Sequence, residues 1–78
     1  MTPAQCRAAR GLLNWSQQDT ADAAKIGNAT IRNFEAGRSA PQNATLDVLQ
    51  RAFETAGVEF IPENGGGAGV RLRKTTSP

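Results

Sequence analysis

Between Lys25 and Phe34 the chain carries Asn28, Ala29, Arg32 and Asn33 and not one acid. These side chains can do related chemistry. An arginine guanidinium donates two parallel hydrogen bonds to O6 and N7 of guanine, and an asparagine amide pairs with N6 and N7 of adenine. A small methyl such as that of Ala29 can touch the methyl of thymine. A face shaped only by solubility would more often carry Glu and Lys. Catalysis is poorly supplied by comparison: there is no His and no Tyr, and nothing pairs a nucleophile with a base. The expectation is a binding protein and not an enzyme. The lone cysteine, Cys6, excludes an internal disulfide, and with no histidine beside it no structural zinc site is expected. No metal and no cofactor are expected.

Four helices are expected to position these residues. Thr2-Pro3-Ala4-Gln5 opens the first: Thr2 can cap, Pro3 suits the first helical position and Gln5 completes a capping box. Cys6, Ala9 and Leu13 recur at helical spacing and should face inward, with Cys6 a small buried hydrophobe and not a reactive thiol. The helix should stop near Leu13. Ser16 starts a second helix over Gln17 to Ala24, with Asp19 in its first turn where an acid favours the helix dipole. Its small inner residues, Ala21 and Ala24, let another helix pass close to the backbone. Trp15, just before Ser16, reads as an apolar staple in preference to a base-stacking platform. Asn28 opens a third helix with Ile31 and Phe34 inward, ended by a left-handed Gly37. A fourth helix, about Ala44 to Ala56, carries Leu46, Leu49, Ala52 and Phe53 on one side, and Gly57 stops it.

Beyond Gly57 the period changes from helical to alternating. Val58 to Ile61 and Gly69 to Arg73 read as strands joined by a flexible, glycine-rich connection over Pro62 to Ala68. Pairing of the two within one chain is open at this level. Val58, Phe60, Val70 and Leu72 should face the helices, with Glu59, Ile61, Arg71 and Arg73 outward. Thr75 to Pro78 should be a disordered tail.

Seventy-eight residues make one domain, near the lower limit for a fold resting on a single core without staples. No apolar run approaches the ~20 residues of a membrane span, and the amino end lacks a signal-peptide pattern, so a cytoplasmic protein is expected. Net charge is only +2. Its distribution says more: Lys25, Arg32 and Arg38 fall close together, and Arg71, Arg73 and Lys74 form a second basic cluster.

Two short helices joined by a turn, the second ended by glycine, suggest a helix-turn-helix over about residues 17–36. Arg10, the segment W-S-Q-Q-D-T-A, the segment A-T-I-R-N-F-E-A-G-R and Pro41 together resemble the Cro/C1-type repressor (XRE) family over about Cys6 to Val58. The resemblance implies a mainly α, four-helix, lambda-repressor-like domain over 1–57, to which the alternating stretch adds a two-stranded β element over 58–74. It places Asn28, Ala29, Arg32 and Asn33 toward the bases of a major groove. It places Gln17, Arg38, Ser39 and Asn43 on phosphates; the alternative for Ser39 and Asn43 is that they are only turn and cap residues, and the two roles can coexist. Arg10 and Glu35 become a structural salt bridge that exposes part of Arg10 to phosphate. The chain departs from the family where Lys25 replaces the usual turn glycine, where Gly27 replaces a Ser or Thr cap, and where Thr20 replaces a leucine. Lys25 should therefore adopt a positive φ, and Thr20 should be less well buried than a leucine.

Family members bind as dimers on two half-sites about one helical turn apart. Here the two-fold surface is expected in the fourth helix and the strands, at Val58, Phe60, Ile61, Val70 and Leu72, since free sheet edges invite pairing with a second copy. The leading expectation is a sequence-specific DNA-binding transcriptional regulator, a homodimeric repressor or controller on a palindromic operator in double-stranded DNA, nucleoid-associated in a prokaryote. The alternative is a protein-interaction module, an antitoxin or anti-activator whose strands hold a protein partner.

Overall fold

The computed structural model describes residues 1–63 and 65–73. Four helices, α1 (Pro3–Leu13), α2 (Gln17–Ala24), α3 (Asn28–Glu35) and α4 (Asn43–Thr55), precede two strands, β1 (Val58–Ile61) and β2 (Gly69–Leu72). The expected tail from Thr75, the Lys74 of the second basic cluster and Asn64 of the glycine-rich connection lie outside the described residues.

Local chemistry accounts for the helix ends. Thr2 and Gln5 close a reciprocal capping box on α1, and Ser16 and Asp19 close another on α2. Both helices stop at a residue in the left-handed region, Asn14 at φ 57° and Lys25 at φ 58°. Asparagine tolerates that region, whereas for lysine it costs about 1 kcal/mol. Gly37 at φ 74° follows the end of α3. The fourth helix begins one residue earlier than its periodicity suggests, at Asn43, and its cap position is Gln42. Asn43 is thus the first helical residue and neither it nor Ser39 is a cap.

All four helices and β1 meet in one core: Cys6 and Ala9, Ala21 and Ala24, Ile31 and Phe34, Leu49 and Phe53, and Val58. Phe53 sits at its centre, with ring centroids 5.9 Å from Trp15 and 6.1 Å from Phe60. Trp15 is therefore a packing residue. Thr20 corrects the sequence reading: it is 0% exposed, not poorly buried. Its hydroxyl donates to the Ser16 carbonyl oxygen at 2.9 Å, which satisfies the polar atom while the methyl packs. Among the described residues every buried side-chain polar atom has a hydrogen-bond partner.

The strands pair antiparallel within the chain, Val58 opposite Leu72 and Phe60 opposite Val70. They pack on the helices, β2 against α1 and β1 against α4. Gln5 Nε2 donates to the Gly69 carbonyl oxygen at 3.1 Å, tying α1 to β2. Two expectations change here. Val58, expected both to face the helices and to line a two-fold surface, does only the first: it is 0% exposed in the helical core and unavailable to a second subunit. Leu72 shares the helix-facing side of the sheet with Val58, its partner across the ladder, yet it is 51% exposed and not covered as expected. Arg73 falls just past the strand and still donates its backbone N–H to the Gly57 carbonyl oxygen at 2.6 Å. Among the described residues no helix is long and apolar enough to cross a membrane.

Candidate nucleic-acid interface

Helix α3 turns through about 100° per residue, so its eight residues divide cleanly between two sides. Ile31, Phe34 and Glu35 are buried. Ala29 and Arg32 are exposed, and Asn28, Thr30 and Asn33 are half-buried. Of the four candidate base-reading residues, then, Ala29 and Arg32 stand fully out. Asn33 is partly sheltered. Asn28 lies toward α2, where its amide Nδ2 donates to Gln18 Oε1 at 3.2 Å.

The first two residues of α2 reach opposite ends of α3. Gln18 holds Asn28 at its beginning, while Gln17 Nε2 donates to Glu35 Oε1, at its end, at 3.2 Å. Gln17, a candidate phosphate contact, is thus engaged by its side chain within the protein. It is the first residue of α2.

Among the described residues Glu35 collects the most side-chain hydrogen bonds. Arg10 Nε donates to its Oε2 and Arg10 Nη2 to its Oε1, both at 2.7 Å, in a two-pronged ion pair. The Cys6 thiol donates to Oε2 at 3.1 Å. Arg7 Nη1 donates to the Glu35 backbone carbonyl oxygen. The third nitrogen of Arg10, Nη1, donates to the Trp15 carbonyl oxygen at 3.1 Å, which ties the α1–α2 link to the same cluster. Side-chain exposure is 21% for Arg10 and 4% for Glu35, so this ion pair is largely shielded from water.

A carboxylate in the last turn of a helix opposes the helix dipole, and two arginines of α1 relieve that conflict. Burial alone would raise the Glu35 pKa, but hydrogen bonds from Arg10, Cys6 and Gln17 outweigh it and hold the carboxyl below its ordinary value. The bond to Glu35 raises Arg10 above the ordinary arginine value. Burial, reinforced by the neighbouring carboxylate, pushes the Cys6 thiol far up. Such a thiol stays protonated and serves as a donor, not as a nucleophile.

Arg38 and Ser39, in the loop after α3, and Asn43, opening α4, are all exposed. Neither Gly27 nor Gln42 makes a side-chain capping bond to its helix. The first N–H groups of α3 and α4 therefore lack the side-chain acceptors that α1 and α2 enjoy. The second basic cluster is differently employed. Arg71 pairs with its cross-strand partner Glu59, and Arg73 Nη2 donates to the Glu54 carbonyl oxygen at 2.8 Å near the end of α4.

Sequence reasoning missed Arg7, the Cys6 thiol donor and the Gln18–Asp22 pair. Arg7 lies one turn before Arg10 on α1, a spacing visible in the sequence, and Gln18 and Asp22 stand at the i, i+4 spacing that favours a side-chain bond.

Residues 7–60 match the model of a family described as helix-turn-helix. No curated protein matches the chain.

Proposed function

Because the chain belongs to the Cro/C1-type (XRE) family of helix-turn-helix DNA-binding regulators, we propose that it is a sequence-specific homodimeric repressor acting on a palindromic operator. The observation that carries this reading is the split character of α3: an acid-free outer face on a helix whose last residue is clamped from α1 and α2. Arg32 reads guanine, Asn33 and Asn28 read adenine, and Ala29 meets a thymine methyl. Arg38, Ser39 and Asn43 hold phosphate from the loop and from the uncapped start of α4. The backbone N–H groups opening α2, beside Gln17, hold phosphate on the other flank, with the exposed edge of Arg10. Such a partner places the protein in the cytoplasm, on the nucleoid of a prokaryotic cell. Catalysis has no part in this reading.

The sheet supports the homodimer. In an antiparallel pair the hydrogen-bonded and non-hydrogen-bonded positions alternate. The Arg73–Gly57 bond marks one hydrogen-bonded pair, so the register turns the backbone groups of Phe60 outward on one edge and those of Val70 and Leu72 outward on the other. Phe60, Ile61 and Val70 are half-buried and Leu72 exposed. An edge strand offering such groups pairs readily with its own copy across a two-fold axis. The same edges favour one other reading, a protein-interaction module in which an antitoxin-like or anti-activator chain adds a foreign strand.

Footprinting on the DNA upstream of the gene tests the proposal. Two protected half-sites about one helical turn apart, with affinity that falls as salt rises, are expected. No protected site, together with co-purification of a protein partner, would support the second reading instead.

A further inference from the structure

A carboxylate close to a DNA-reading face repels phosphate, yet Asp22 stands one turn along α2 from Gln18, which holds the first residue of α3. Gln18 Nε2 donates to Asp22 Oδ1 at 2.8 Å, and Gln18 Oε1 accepts from Asn28 Nδ2 at 3.2 Å. The three side chains form a chain of hydrogen bonds with a direction. An ionised carboxylate can only accept, so Gln18 must turn its NH2 toward Asp22 and its oxygen toward Asn28. Asn28 must then turn its own NH2 toward Gln18.

We infer that Asp22 and Gln18 are positioning residues that set the base preference of Asn28 by fixing which way round its amide stands. This inference rests on the DNA-binding reading above and deepens it. With one N–H held by Gln18, the other N–H and the carbonyl oxygen of Asn28 lie side by side. A donor beside an acceptor matches N7 and N6 of adenine. Were the amide reversed, its oxygen would face α2 and two donors would face the groove, which matches O6 and N7 of guanine. Asp22 thus selects adenine over guanine without touching the DNA. A substitution at Gln18 that keeps an acceptor preserves the direction; one that supplies a donor reverses it.

The test measures binding of the full chain to an operator set in which each base pair is varied in turn. Gln18 and Asp22 are exposed, so their variants should melt like the parent, which thermal unfolding checks. The parent should prefer adenine over guanine by about fivefold or more at one position per half-site, and Asn28→Ala should abolish that preference there and nowhere else. At that position Asp22→Asn should narrow the preference, Gln18→Lys should shift it toward guanine, and Gln18→Glu should keep adenine while weakening all sequences together. Asp22→Asn and Gln18→Lys variants with the parent's preference at the Asn28 position would overturn the inference and leave DNA binding standing. An Asn28→Ala profile like the parent's would overturn it too. A parent that binds no DNA at all would instead remove the reading on which the inference rests.

Discussion

The two ends of α3 are held in opposite ways. At its last residue, Glu35 receives bonds from Arg10, Cys6 and Gln17 on its carboxylate and from Arg7 on its carbonyl, out of reach of most water. At its first residue there is no side-chain cap, and a single surface hydrogen bond joins Asn28 to Gln18. One end fixes where the helix lies. The other leaves backbone N–H groups without side-chain acceptors and exposed side chains on the outer face. On the proposed reading a helix that enters a groove needs both, since a loose anchor would scatter the contacts that the open end makes.

Changes at the anchored end should therefore break the fold, and changes at the reading end should alter only binding. The largest effect belongs to Glu35→Ala, which leaves Arg10 shielded and unpaired and orphans the Cys6 donor. A loss of about 3–5 kcal/mol of stability by urea unfolding is expected, a large share of what a domain this size possesses. Acid should act on the same site. The folded-state pKa of Glu35 is depressed, so the unfolded chain binds the proton more readily, and stability falls as pH drops from the ordinary carboxylate range through the folded value. Unfolding followed from neutral to acid pH should show a shallower fall in Glu35→Gln than in the parent.

At the reading end, Arg32→Ala should cost about 1–3 kcal/mol of operator binding by titration, while its unfolding curve stays within about 0.5 kcal/mol of the parent. Arg38→Ala, off the helix, should weaken all DNA sequences alike and lower the salt dependence of binding. The smallest effect lies in the turn between α2 and α3. Lys25→Gly relieves the left-handed lysine at φ 58° but loosens the unfolded chain, so a gain of no more than about 1 kcal/mol is expected in thermal unfolding.

Much of this architecture is legible in the sequence because it is local. Thr2 with Gln5 and Ser16 with Asp19 mark helix starts three residues apart, and the spacing of Ile31 and Phe34 marks the inner side of α3. The Arg10–Glu35 pairing follows from family resemblance, not from spacing, since 25 residues separate the two. What stays hidden depends on how helices sit against one another. Whether Gln17 turns to phosphate or to Glu35, and whether Asn28 meets Gln18, is decided by how α2 packs on α3, which no periodicity encodes. Alternation identifies the inner face of the hairpin but not how far the helices cover it, so it implies a covered Leu72 where the side chain is half exposed. Thr20 shows the reverse: a hydroxyl that makes burial look poor finds its acceptor four residues back, in the same helix.

The central claim is that α3 reads bases with its outer face while its buried end merely holds it in place. The most direct test is a comparison of the parent and Arg32→Ala on operators varied one base pair at a time, with folding checked in parallel. The account predicts an unchanged fold and a loss of discrimination confined to one position in each half-site. Equal discrimination by the two proteins at every position would contradict it.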